Sequence, residues 1–148
     1  MSKAFHPITG ALALLTILTF WVSTLVSEVF GSPTTVVAVK TFIPWGFLLL
    51  VPALMATGGS GFALARQRSD RLVDVKRRRM PVIAMNGLLI LMPAALFLAF
   101  KVQAGELDAV FYAVQVLELV AGAVNIALLG LNMRDGLRVT GRLRHAPA

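Results

Sequence analysis

The sequence contains no cysteine. That excludes disulfides, thiolate metal sites, iron–sulfur clusters and CxxC redox chemistry. Histidine is nearly as scarce. The two present, His6 and His145, lie on the terminal segments, whereas a membrane b-type haem usually needs axial ligands on facing spans at matched depth. No His-x-x-x-His or Glu-x-x-His pair is present to hold a metal. No histidine accompanies a serine within an apolar run, and no two carboxylates stand where they could act as a catalytic pair. No cofactor is therefore expected. Haem on His6 and His145 is disfavoured by their position. A quinone would need walls built from Trp21, Trp45, Phe47, Met55, Met85, Met92, Phe97, Phe111 and Tyr112, residue types that more often simply pack or face lipid.

Charge is the third shortage. Only 14% of the 148 residues are charged, while 57% are hydrophobic and the mean hydropathy is +0.81. A soluble domain carries about 25% charge, so the expected solvent is a bilayer. The charges lie mostly between the apolar runs. The excess of seven positive charges is explained by membrane topology and attraction to anionic lipid rather than by nucleic acid.

The apolar runs predict an all-α membrane protein, a four-span antiparallel transmembrane helix bundle with both termini cytoplasmic. The spans are expected at about 8–30, 41–64, 81–101 and 109–133, in one domain covering 1–148. A basic inner loop at 65–80 and a basic tail at 134–148 complete it. The orientation rests on arginine and lysine. Lys3, the seven cations from Arg66 to Arg79, and Arg134, Arg138, Arg142 and Arg144 fall on one side, leaving only Lys40 and Lys101 opposite. That asymmetry places the twelve in the cytoplasm, most naturally at a bacterial inner membrane. The first run is too long for the core of a cleavable signal and is expected to remain as a span.

Prolines punctuate the spans. Pro7, Pro44 and Pro81 suit first helical turns, while Pro52 and Pro93 fall mid-span and should kink. Gly31-Ser32-Pro33 is expected to break the first helix and open a loop, placing Lys40 at the outer interface with its stem snorkelling. Thr57-Gly58-Gly59-Ser60-Gly61 suits close helix approach. Asp135-Gly136 is expected to stop the last helix, with Gly136 in a left-handed cap.

The fourth span carries the strongest functional signal. Tyr112, Gln115, Glu118, Gly122 and Asn125 recur at steps of three or four and form one stripe on a helix. Glu118 falls near the bilayer middle, where an ionisable group costs on the order of 2–3 kcal/mol or more unless neutralised, paired or hydrated. With no cation expected at its depth, Glu118 should be protonated or linked to water. Asn86, on the third span at a depth comparable to Asn125, is a candidate partner for it. Gln115, Glu118, Asn125, Tyr112 and Asn86 thus form the candidate ligand or proton site. Lys76, Arg77, Arg78 and Arg79 are the candidates for anionic-lipid contact.

The functional expectation is a non-catalytic membrane subunit or binding protein whose polar seam holds a partner helix or a lipophilic ligand. A proton- or cation-coupled transporter using Glu118 is the alternative, and a lipid-modifying or redox enzyme a third. The expected partners are membrane lipids, with anionic headgroups at the inner face, and a further copy of the chain or a larger membrane complex.

Overall fold

The computed structural model describes residues 5–65 and 71–139. These residues are all helical apart from short connections: α1 (Phe5–Phe30), α2 (Pro33–Ala65), α3 (Arg71–Asn86), a π-helical turn (Gly87–Leu91), α4 (Met92–Gln103) and α5 (Ala109–Val139). Four stretches are long and apolar enough to cross a membrane: Phe5–Phe30, Pro33–Gly61, Arg78–Gln103 and Ala109–Arg138. The third joins the end of α3, the π turn and α4 into one span.

The helices begin and end for local reasons. Pro7 sits in the first turn of α1, where its missing N–H breaks no bond. α2 starts at Pro33, eight residues earlier than expected. Ser32 caps it, its hydroxyl accepting from the Thr35 N–H at 3.3 Å. Serine at the cap followed by proline at the first helical position is a start signal, so Gly31-Ser32 is a tight break between two spans rather than the opening of a longer loop. Consequently Pro44 lies in the interior of α2 with Pro52, and not in a first turn. α4 ends in a paired cap. The Glu106 N–H reaches the Lys101 carbonyl, the Gly105 N–H reaches Val102, and Gly105 takes φ +74°, a geometry that suits glycine. Asp108 then caps α5 by accepting from the Phe111 N–H at 2.9 Å.

Other expectations at the basic end are corrected. The segment 65–80 is not all loop, since α3 already runs from Arg71 and Pro81 lies inside it. α5 does not stop at Asp135-Gly136. It continues to Val139, and no positive φ occurs at Gly136, because Asp135 is buried and bonded to Arg79 instead of ending the helix. Lys3, Arg66, Arg68, Asp70, Arg142, Arg144 and His145 lie outside the described residues.

α1 and α2 run in opposite directions, His6 meeting Ser60 at one end and Thr24 meeting Lys40 near the other. The glycines of α2 permit the close approach. Gly61 lies under the His6 ring and Gly46 under the Phe20 ring. One apolar cluster joins Ala13 and Ile17 of α1, Leu50 and Ala53 of α2, Ile83 of α3 and Leu129 of α5. A second joins Val36, Leu98, Val102 and Phe111 where α2, α4 and α5 meet. The outward surface is equally apolar, with Leu15, Phe42, Leu48, Met55, Leu89 and Phe100 exposed. In lipid such faces are already in their solvent, so packing and polar links between helices decide the arrangement.

Candidate functional site

The polar stripe of α5 is best followed from residue to residue. Phe111, Gln115, Ala121, Gly122, Asn125, Leu129, Asn132 and Asp135 are buried along it. Tyr112 is not part of it: half of Tyr112 is exposed, and its ring packs edge-on against Phe111. A three-residue step from Gln115 reaches Tyr112, but a four-residue step reaches Phe111, and the buried face follows the second. Both spacings are consistent with a helix, and packing selects between them.

Glu118 is salt-bridged. Lys40 donates to its Oε2, and Lys40 is 1% exposed. This overturns the expectation that no cation reaches Glu118. The cause is the early start of α2, which places Lys40 two turns inside the helix with its side chain turned inward. Lys40 also donates to the Thr24 hydroxyl at 3.4 Å, and the Gln115 amide donates to Glu118 Oε2 at 3.1 Å. Glu28 of α1 lies close enough to interact electrostatically with both Lys40 and Glu118. Thr9, Thr16, Thr19 and Ser27 of α1 bond back to their own helix carbonyls. Glu28 Oε1 and Gln115 Oε1 are buried with no hydrogen-bond partner among the described residues.

Two turns further along, Asn86 donates to Asn125 Oδ1 at 2.9 Å and to the Ala121 carbonyl at 2.8 Å, while Asn125 donates to the Ile83 carbonyl at 3.4 Å. The carboxamide pair read from matched depth is therefore formed. Asn86 is the last residue before the π turn, in which the Met92 N–H bonds to the Gly87 carbonyl. Pro93 supplies no N–H and crowds the carbonyl four residues earlier; widening the preceding turn accommodates it, and π turns are frequent at functional sites.

Trp21 packs inside, its indole N–H donating to the Leu119 carbonyl at 2.8 Å. Its ring lies directly over Gly122, where an added Cβ would fall 2.8 Å from Cδ1.

Of the four cations assigned to lipid headgroups, Arg78 is exposed and Arg79 is half-buried, held by Asp135 at 2.8 Å. The side chains of Lys76 and Arg77 lie outside what the structure describes.

A cleft of about 290 Å³ runs between α2 and the α3–π–α4 span, with α1 and α5 as its floor. Ile43, Phe47, Leu50, Leu54, Met55 and Gly58 form one wall; Met80, Ile83, Ala84, Gly87, Leu88, Leu91, Met92 and Ala95 form the other. Trp21, Thr24, Glu118 and Asn125 line its floor. Among the aromatic and methionine residues singled out from sequence, Trp21, Phe47, Met55 and Met92 reach it, whereas Trp45, Met85, Phe97 and Tyr112 are exposed elsewhere and Phe111 is core. Among the described residues no group of three His, Asp or Glu could hold a metal ion.

Sequence reasoning missed Lys40, Thr24 and Glu28 as neighbours of Glu118. The signal that would have found Lys40 was Ser32-Pro33, read as a helix start. No family model matches the chain, and no curated protein or solved structure matches it either.

Proposed function

We propose that this is an integral membrane protein that binds one long-chain lipophilic ligand in the cleft, with the ligand's polar head at Glu118. The observation that carries this reading is the shape of the cleft. Along α2 it extends from Ile43 to Gly58, which is about 22 Å at 1.5 Å per residue. That is most of the hydrocarbon thickness of a bilayer, about 30 Å. A volume of about 290 Å³ spread over that length accommodates a single chain. Apolar walls with a few convergent polar groups are the usual form of a small-molecule site.

The polar seam then has two tasks in this reading. Asn86 and Asn125 tie α3 to α5 beside the cleft, and Glu118, held by Lys40 from behind the lining, is its polar end. The basic end of the chain faces the cytoplasm, at a bacterial inner membrane, with Arg78 and its neighbours on anionic headgroups. The role is non-catalytic binding, either alone or as a subunit of a larger assembly.

The test is native mass spectrometry of the protein released from nanodiscs, with extraction and identification of what it carries. Gly58 lies on the cleft wall, and an added Cβ there meets nothing within 4 Å, so Gly58→Phe is the variant expected to obstruct that end of the cleft. One bound chain per protein in the wild type and none in Gly58→Phe supports the reading. Equal lipid content in both overturns it.

A further inference from the structure

Thr24 of α1 and Glu118 of α5 share one ammonium. Lys40 of α2 donates to the Thr24 hydroxyl at 3.4 Å and to Glu118 Oε2, which holds the two side chains next to each other. Both line the cleft, whereas Lys40 stands behind them. The Lys40–Glu118 pair is neutral whichever partner holds the proton between them. Thr24 stands six residues before the end of α1, and Glu118 nine residues after the start of α5. At 1.5 Å per residue they lie about 9 and 14 Å inside the bundle. A charged ligand head at that depth would bring a further charge where the bilayer core does not solvate it.

Each of the two side chains keeps one hydrogen-bonding position open among the described residues. The Thr24 hydroxyl accepts from Lys40 and has its own O–H left to donate. Glu118 takes the bonds from Lys40 and Gln115 on Oε2, which leaves Oε1 to accept. The other polar side chains on the lining are engaged: Trp21 with the Leu119 carbonyl, and Asn125 with Asn86 and the Ile83 carbonyl. Glu28 and Gln115 carry buried oxygens without partners among the described residues, but neither residue lines the cleft. The cleft thus presents one donor and one acceptor side by side, and the charged residue on its lining is already paired. A hydroxyl matches both positions, because it donates one hydrogen bond and accepts others. An ammonium only donates and a carboxylate only accepts, and each adds a charge. An ether oxygen accepts from Thr24 but leaves Glu118 Oε1 unmet.

We infer that the ligand is a neutral long-chain alcohol, whose terminal hydroxyl accepts from Thr24 and donates to Glu118 while its chain runs along α2 toward Gly58. This rests on the cleft being a ligand site and adds the chemical class of the ligand. Lys40 acts as a positioning residue: it fixes both side chains and lends the carboxylate its counter-ion without touching the ligand.

The experiment uses the full chain carrying Trp45→Phe, which leaves Trp21 on the cleft floor as the one tryptophan of the two present. The protein is placed in phosphatidylcholine nanodiscs at about pH 7, where a primary amine of lysine type is charged. Quenching of Trp21 is titrated with bromine-labelled dodecanol, its methyl ether, dodecane and dodecylamine, each affinity expressed per bilayer mole fraction. The alcohol is expected to bind about tenfold or more tighter than the ether and the alkane, the factor that one hydrogen bond to a charged acceptor supplies. Thr24→Val keeps the β-branched shape and the Lys40–Glu118 pair but removes the hydroxyl. It should weaken the alcohol by up to about tenfold, the worth of one neutral hydrogen bond, and leave the alkane unchanged. Thr24→Ser should restore the alcohol. An alcohol no tighter than the alkane, an amine tighter than the alcohol, or an alcohol indifferent to Thr24→Val overturns the hydroxyl assignment, while saturable quenching by the alkane leaves the cleft standing as a chain site. Quenching that saturates with none of the four overturns both.

Discussion

The ammonium of Lys40 and the carboxylate of Glu118 meet across α2 and α5, 78 residues apart in sequence, with Lys40 almost wholly covered and Glu118 on the edge of the cleft. Each removes the other's isolation in a medium that does not solvate charge. Neither residue is tolerable there alone.

Breaking that pair from one side should therefore cost far more than removing it. Lys40→Met leaves Glu118 without its counter-ion and is expected to destabilise the fold by about 3–5 kcal/mol, whereas Lys40→Met with Glu118→Met should recover most of the loss. Unfolding by SDS titration followed by circular dichroism measures both. A double variant no more stable than the single would mean that the pair does more than balance charge.

The Asn86–Asn125 link is a smaller matter. Alanine at either position and at both forms a thermodynamic cycle, and the coupling is expected at about 0.6–1.7 kcal/mol, the range seen for hydrogen bonds between membrane helices. Coupling near zero would mean that the two amides find equivalent partners elsewhere.

Glycine at 122 makes room for an indole. Gly122→Ala places a methyl against Trp21, and the ring must shift, weakening its bond to the Leu119 carbonyl. The expected loss is about 1–3 kcal/mol, with a changed Trp21 emission maximum in the Trp45→Phe background. Gly130→Ala, where an added Cβ meets nothing within 4 Å, is the control. It should gain up to about 1 kcal/mol from helix propensity.

At the α4–α5 connection the Lys101 ammonium, followed by the Phe111 N–H, holds the Asp108 carboxyl below its ordinary value of 3.8. A carboxyl with a depressed folded value contributes order that is present above that ordinary value and lost as pH falls through the folded one. Amide exchange in residues 104–111 should therefore accelerate only below about pH 4, and Asp108→Asn should show the faster rate at every pH. Hydrogen exchange followed by mass spectrometry reads this directly. Protection that persists in Asp108→Asn would show that the glycine-containing cap alone orders the loop.

The number of long apolar helices was legible in composition and hydropathy, because a bilayer demands runs of that length and little else. The Asn86–Asn125 pair was legible because two carboxamides at matched depth on neighbouring spans have few other partners. Tyr112 was misplaced because three- and four-residue steps both fit a helical stripe and only packing chooses. Lys40 was misplaced because a glycine and a proline were read as a loop, when Ser32-Pro33 is also the chemistry of a cap and a first turn. Asp135 was read as a helix stop because the residue that binds it, Arg79, is 56 positions away. The cleft was not legible at all: it exists where α2 and α3 stand apart, and no local pattern encodes a gap between helices.

The central claim is that one chain occupies that gap. Its most direct test is the stoichiometry of Trp21 quenching by a bromine-labelled dodecanol in Trp45→Phe nanodiscs, with and without Gly58→Phe. The expected result is saturable quenching at one chain per protein that the phenylalanine at position 58 abolishes. Quenching that rises linearly with chain concentration and ignores Gly58→Phe would mean that the label reaches Trp21 from bulk lipid and that the cleft holds nothing of its own.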